Sequence, residues 1–187
     1  MCQFQQFRYP SSDGSSSCYA GAWLPPEEPR GVVQIVHGVG EHIGRYETAA
    51  RFLTRQGFLV CGEDHLGHGN TVQDGRYGAF APQNGWKLVV ADIARLRRIQ
   101  GEKHPGVPYF LLGHSMGSFL TRTYLIDHPG TVDGAILSGT GQEPAPLVAF
   151  GPTGPARTGS PGMRSRWTPI WPTRCAATSP ACPCSGT

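Results

Sequence analysis

Apolar positions over roughly the first 140 residues fall into short continuous runs and longer stretches with helical spacing. Two weakly alternating segments flank the turn-rich residues 11–15 and predict a β-hairpin that ends at about Trp23. The continuous runs after the hairpin predict strands, and the nearly unbroken β-branched sequence of the first run is typical of a strand covered on both faces. These runs are Gly31–Val36, Phe58–Cys61, Tyr109–Leu112 and Ala135–Leu137.

Between the continuous runs, apolar residues recur three and four positions apart, which predicts three amphipathic helices. The first has its apolar face at residues 46–53 and ends at Gly57, the second extends from Gln83 to about Gln100, and the third follows Ser115 and stops at residues 128–130. Strands and helices alternate in this order. The pattern is typical of an α/β fold, with a mostly parallel sheet and helices on both faces.

Charge and hydropathy exclude several classes of function. Up to Gln142, 12 Lys and Arg residues balance 12 Asp and Glu residues, so the sequence gives no indication of a basic face for nucleic acid. No apolar stretch is long enough for a secretory signal or a transmembrane segment. We therefore expect a cytoplasmic protein.

The composition changes abruptly near Phe150. From Phe150 to Thr187 there are seven prolines and five glycines, and Asp, Glu, Lys and His are absent. This Pro/Gly-rich composition predicts a disordered, low-complexity tail, residues 149–187, after a folded part, residues 1–148. An out-of-frame reading of the gene would explain the change, and the nucleotide sequence around codon 150 tests that hypothesis.

A strand-to-helix turn at residues 113–117, with the sequence Gly-His-Ser-Met-Gly, is the strongest candidate for chemistry. Glycine two positions before and after a serine is typical of a nucleophile elbow, in which a strained turn lifts the serine hydroxyl above the sheet and side chains at the two glycine positions would collide with the neighbouring strand and helix. Ser115 is then the nucleophile. The backbone N–H of Met116, at the start of the helix, faces the position where an oxyanion would form.

Two further loops follow predicted strands. Residues 37–42 read His-Gly-Val-Gly-Glu-His, and residues 63–70 form a second loop where a strand is expected to meet solvent. The carboxyl ends of parallel strands meet at one edge of a sheet and form its binding crevice. We therefore expect residues 37–42 to lie near Ser115.

Together, these motifs resemble the monoacylglycerol lipase and lysophospholipase group of α/β-hydrolases, which is also described as serine aminopeptidase S33-like. The segments that carry the resemblance are residues 31–46, 64–69 and 111–117. The resemblance covers about residues 1–148. It implies the amino-terminal portion of an α/β-hydrolase fold, in a chain that is carboxyl-terminally truncated or frameshifted.

The resemblance implies a serine hydrolase that cleaves carboxylic esters of lipid-like substrates, such as monoacylglycerols or lysophospholipids, through an acyl-enzyme. It implies no cofactor, no metal and no specific protein partner. The implied catalytic groups are Ser115 as nucleophile and the backbone N–H groups of Val39 and Met116 as oxyanion hole. The implied substrate-binding residues are Glu41, Arg45, His37 and Gly38.

The chain departs from this group in its acid and base. The expected chain order is serine, acid and histidine, but the only histidine after Ser115 is His128, next to the proline that ends the third helix. Asp127 and Asp133 are equally misplaced for the acid. The sequence therefore predicts that the chain as written is inactive, and an inactive hydrolase remnant is the alternative function.

A dinucleotide-binding module is a second alternative. Residues 38–40, Gly-Val-Gly, follow a strand and precede a helix, and Glu63 or Asp64 ends the next strand at the spacing of a ribose ligand. However, Ile43 occupies the place of the third glycine.

Four histidines in the two loops raise the question of a metal site, but they lack the spacing of a metal-binding helix motif. We interpret His37, His42, His65 and His68 as residues that hydrogen-bond the loop backbone. His114, inside the elbow, is expected to play a similar supporting part.

Overall fold

A six-stranded sheet flanked by three α-helices forms the part of the chain that the computed structural model describes, residues 2–72 and 75–141. Two single 3₁₀ turns, Ile43–Tyr46 and Gly69–Thr71, lie in the loops after the third and fourth strands. The elements in chain order are β1 (Gln3–Pro10), β2 (Ser17–Leu24), β3 (Gly31–Val36), α1 (Glu47–Arg55), β4 (Phe58–Glu63), α2 (Gly85–Lys103), β5 (Tyr109–His114), α3 (Met116–Asp127) and β6 (Gly134–Ser138).

The strands are ordered β1-β2-β4-β3-β5-β6 across the sheet. The predicted hairpin is confirmed: β1 and β2 pair antiparallel, and β2 adds antiparallel to β4. The remaining pairs, β4 with β3, β3 with β5 and β5 with β6, are parallel. The carboxyl ends of β3, β4 and β5 therefore lie at one edge, where the residue 37–42 loop and the elbow meet.

Helices cover both faces of the sheet, as predicted. On one face α2 and α3 pack over a large core that includes Val36, Ile93 and Leu120. On the other face α1 packs over a smaller core that includes Ile35, Ile43 and Ala50. Strand β3 contributes to both cores, and all six of its residues are buried, which explains its continuous apolar sequence.

The longest helix, α2, is amphipathic. Its buried residues include Val89, Val90, Ile93 and Leu96, whereas Arg98 is exposed. Within the described part of the chain, no helix combines the length and the apolarity that a membrane span requires.

Strand β6 is the outer strand of the described sheet, where it pairs with β5. Ile136 is 58% exposed and Leu137 is 37% exposed, so this edge of the described sheet is apolar. The predicted tail, residues 149–187, lies outside the described residues, and the boundary at residue 148 stays a prediction.

Candidate active site

Ser115 occupies a strained turn between β5 and α3. Its backbone has φ 51° and ψ −121°, and in the described residues only one other non-glycine residue, Asn84, has a positive φ. Such a conformation costs on the order of 1–3 kcal/mol and persists only when its surroundings hold it. Here the N–H of Ser115 donates to the carbonyl of Ser138 at 2.9 Å, and the carbonyl of Ser115 accepts from the N–H and hydroxyl of Ser118 at 2.9 and 2.6 Å.

The two elbow glycines allow close packing, as the motif predicts. A Cβ atom on Gly113 would lie 2.5 Å from the carbonyl oxygen of Gly117 and from the Thr121 hydroxyl. A Cβ atom on Gly117 would overlap the carbonyl oxygen of Val36 at the end of β3. A side chain at either position therefore separates helix α3 from the sheet.

The residue 37–42 loop packs directly against the elbow. A Cβ atom on Gly38 would lie 3.2 Å from Cβ of Ser115, so the missing side chain lets the backbone approach the serine. Val39 follows, with its side chain 47% exposed, and Met116 is the first residue of α3, where backbone N–H groups have no acceptor within the helix. The structure thus brings the predicted oxyanion-hole residues to the region of Ser115.

The side chain of His37 supports this loop from beneath. It is fully buried, its Nε2 accepts from the N–H of His65 at 3.1 Å, and its Nδ1 donates to the carbonyl of Gly38 at 2.8 Å. Burial, assisted by the neighbouring His65, lowers the pKa of His37 well below its usual value, so the ring is neutral at pH 7. The predicted role in holding loop backbone is confirmed, and the ring is not exposed to a substrate.

Asp64 connects the two loops at this edge. Its buried carboxylate accepts from the N–H of Ile43 and from the N–H of Asn70, both at 2.7 Å. Both oxygens are therefore occupied by backbone donors. Because Glu63 is buried as well, neither acid is available to a ribose hydroxyl, which is the contact that a dinucleotide site requires.

Glu41 and Arg45 lie beside the loop and form an ion pair. Nη1 of Arg45 is 3.3 Å from Oε1 of Glu41, whose other oxygen accepts from the N–H of Gly38 at 3.0 Å and from the hydroxyl of Tyr46 at 2.7 Å. Burial alone would raise the pKa of Glu41, but the hydrogen bonds from Tyr46 and Gly38 outweigh it and lower that pKa. Sequence reasoning assigned Tyr46 to a helical apolar face and missed its hydroxyl.

The described histidines do not supply a base for Ser115. His114 has its Nδ1 3.3 Å from the hydroxyl of Ser138, a side-chain contact rather than the predicted hydrogen bond to loop backbone. His128 follows the last residue of α3, about 18 Å from the elbow along a 12-residue helix. Among residues 2–72 and 75–141, the hydroxyl of Ser115 has no hydrogen-bond partner.

Glu63 and His65 form a buried contact beneath the loops, which corrects the prediction that this segment meets solvent. Oε1 of Glu63 lies 3.2 Å from Nδ1 of His65, and both side chains are fully buried. Burial, aided by the nearby Asp92, raises the pKa of Glu63 to about 8, and burial lowers the pKa of His65 to about 3. At pH 7 both groups are therefore neutral, and the contact is not an ion pair.

The raised pKa of Glu63 predicts that the contribution of this residue to stability falls between pH 6.5 and pH 8. The folded state keeps the Glu63 proton that the unfolded state has already released, so the free energy of unfolding falls as pH rises towards the folded pKa of about 8. The histidines with lowered pKa values act in the opposite direction until the unfolded state has lost its histidine protons, at about pH 7.5, so the Glu63 contribution is taken as the difference in stability between the wild type and a variant without this carboxyl group. We expect a decrease on the order of 2 kcal/mol.

Urea unfolding of the wild type and of Glu63→Gln at several pH values checks this expectation. The Gln variant keeps the size of the side chain and removes its titration, so the stability of the wild type relative to this variant should fall over this range. An equal decrease in both proteins would assign the pH dependence to other groups.

Comparison with known proteins places the chain in a family. The sequence profile of the family described as serine aminopeptidase, S33 matches residues 27–173. This match includes most of the elements above and extends into the segment 149–173.

Individual relatives agree with the family match. The chain is 34% identical to human monoglyceride lipase over 130 residues, which cover 70% of this chain and 39% of the relative. It is 37% identical to the monoacylglycerol lipase of Mycolicibacterium smegmatis over 117 residues, or 63% of this chain and 40% of the relative. The chain thus spans about two fifths of the length of these curated relatives.

A solved structure gives the same result for the fold. The thermostable carboxyl esterase of Bacillus coagulans, in complex with glycerol, superposes with a TM-score of 0.70 and 38% identity, over 75% of this chain and 45% of the esterase. The profile match, the relatives and the sheet order agree. The chain therefore belongs to the serine aminopeptidase S33 family and is an α/β-hydrolase of the monoglyceride lipase type.

Proposed function

We propose that Ser115 is the nucleophile of a serine ester hydrolase that acts on lipid-like carboxylic esters, such as monoacylglycerols or lysophospholipids. The observation that carries the proposal is the strained turn of Ser115, which lies at the start of α3 and against Gly38 of the neighbouring loop. The names of the relatives, monoglyceride lipase and monoacylglycerol lipase, support the substrate class.

The chemistry follows from this arrangement. Oγ of Ser115 attacks the ester carbonyl carbon, and the carbonyl oxygen takes up negative charge in the tetrahedral intermediate. The N–H groups of Val39 and Met116 donate to that oxyanion, and each such donor can contribute about 3 kcal/mol. Collapse of the intermediate expels the alcohol and leaves the acyl group on Ser115, from which water releases the carboxylic acid.

A complete catalytic cycle also needs a base to remove the proton from Ser115. The sequence has no histidine after His128, and that residue is at the far end of α3. In our proposal the 187-residue chain holds the nucleophile and the oxyanion hole without the base. Loss of a triad member typically removes several orders of magnitude of rate, so acyl transfer in this chain is slow.

Intact-mass analysis after incubation with p-nitrophenyl octanoate tests the proposal. We expect one octanoyl adduct to accumulate slowly on Ser115, because the group that would accelerate deacylation is also the missing base. The adduct should be absent from Ser115→Ala and from the urea-denatured wild type. The acetyl ester should react more slowly than the octanoyl ester.

Two results would contradict the proposal, one for the identity of the nucleophile and the other for the substrate class. An adduct of equal yield in Ser115→Ala would show that another group is acylated. A faster reaction with the acetyl ester would leave Ser115 as nucleophile but argue against a lipid-like substrate.

A further inference from the structure

The carboxylate of Glu41 is shared among three groups of the loop that faces Ser115. Its Oε2 accepts from the N–H of Gly38 at 3.0 Å and from the hydroxyl of Tyr46 at 2.7 Å, and its Oε1 is paired with Arg45 at 3.3 Å. The side chain is only 16% exposed. Each oxygen therefore already has a donor within the protein.

Glu41 and Ser115 are both next to the backbone of Gly38. Measured from the position that a Cβ atom on Gly38 would occupy, Oε2 of Glu41 is 3.1 Å away and Cβ of Ser115 is 3.2 Å away. Gly38 is thus adjacent to both the carboxylate and the nucleophile. The N–H group that follows it in the chain belongs to Val39.

The residue 38–40 segment, Gly-Val-Gly, needs such a restraint. Glycine has the greatest backbone freedom of any residue, and two glycines flank Val39. Gly40 also has φ 69°, in the left-handed region. A hydrogen bond from the N–H of Gly38 to a charged, partly buried carboxylate fixes the start of this segment, since bonds to an ionised acceptor are stronger than neutral ones.

We propose that Glu41 is a positioning residue, whose carboxylate holds Gly38 so that the Val39 N–H is directed at the oxyanion formed on Ser115. This inference rests on the proposed function of Ser115. It differs from the contact with substrate that the family resemblance implies for Glu41, because the carboxylate oxygens are engaged by Gly38, Tyr46 and Arg45. Tyr46 assists by holding the carboxylate in place.

Two measurements on the full chain test the inference. Amide hydrogen exchange, followed by NMR without any ligand, reports whether Gly38 and Val39 are restrained. The second-order rate of phosphonylation of Ser115 by a fluorophosphonate reports whether the oxyanion hole is formed. The first measurement does not depend on the reactivity of Ser115.

The variants are Glu41→Ala, Glu41→Gln and Tyr46→Phe, with Glu47→Ala as the matched control. Glu47 is an exposed carboxylate on α1 paired with Arg51, so its removal deletes an equal charge away from the loop. We expect Glu41→Ala to raise exchange at Gly38 and to slow phosphonylation, each by about tenfold or more. Glu41→Gln, whose amide oxygen still accepts from Gly38, should have an exchange rate and a phosphonylation rate close to those of the wild type. The two rates of Tyr46→Phe should lie between those of Glu41→Gln and Glu41→Ala.

Each remaining outcome decides the inference. Unchanged exchange in Glu41→Ala, with an unchanged melting curve, would show that Glu41 does not hold the loop. Faster exchange with an unchanged phosphonylation rate would show that Glu41 restrains the loop but does not affect the oxyanion hole, and would overturn the inference. Failure of the wild type to react would refute the proposed function instead, and the exchange data would still decide whether Glu41 restrains Gly38.

Discussion

Replacing Gly117 with alanine is expected to destabilise the native fold severely. The new Cβ atom would overlap the carbonyl oxygen of Val36 and lie 2.6 Å from that of His37. Both are backbone atoms at the carboxyl end of β3, so neither can rotate away as a side chain would. Helix α3 would have to move off β3, at a cost of about 3 kcal/mol or more.

Urea unfolding followed by circular dichroism measures this loss. The matched control is Gly141→Ala, whose Cβ would lie 3.4 Å from the ring of Phe119, an ordinary van der Waals contact. The control should unfold like the wild type. A Gly117→Ala protein within about 0.5 kcal/mol of the wild type would contradict the packing of α3 on β3.

Replacing Val39 with proline is expected to slow phosphonylation of Ser115 by about 10²- to 10³-fold, since it removes one of the two N–H groups that we propose as the oxyanion hole. Proline has no backbone N–H, and the rest of the loop should tolerate it. Val39 has a negative φ and precedes Gly40 at φ 69°, a combination in which proline is common in type II turns.

The control is Val39→Ala, which shortens the side chain and keeps the N–H group. Because the side chain of Val39 is 47% exposed, Val39→Ala should react at nearly the rate of the wild type. Similar rates for Val39→Pro and Val39→Ala would mean that the Val39 N–H does not stabilise the oxyanion. The rates are compared as ratios, so the slow reaction expected of this chain does not affect the test.

Much of the fold could be predicted because its signals are local. The buried strand β3, the hairpin and the elbow each depend on residues that are adjacent in sequence. The elbow glycines were predicted to make close contacts because the motif alone requires a sharp turn. In contrast, the order β1-β2-β4-β3-β5-β6 depends on pairings between distant strands, and sequence periodicity carries no information about those partners.

The support of the site was predicted less well. Asp64 accepts from Ile43 and Asn70, which are 21 and 6 residues away, and no periodicity relates them. Likewise, Glu63 and His65 have polar side chains that indicate solvent, yet the sheet and loops bury both. The sequence shows that these polar side chains are present, whereas their burial and protonation depend on the tertiary fold.

The central claim is that Ser115 is a nucleophile placed in a formed oxyanion hole but lacking its base. Site-mapped mass spectrometry after fluorophosphonate treatment, with and without added imidazole, tests it most directly. We predict slow modification at Ser115 alone, acceleration when imidazole supplies a base, and no modification at position 115 in Ser115→Ala. Absence of a Ser115 adduct in the folded wild type, even with imidazole, would contradict the account.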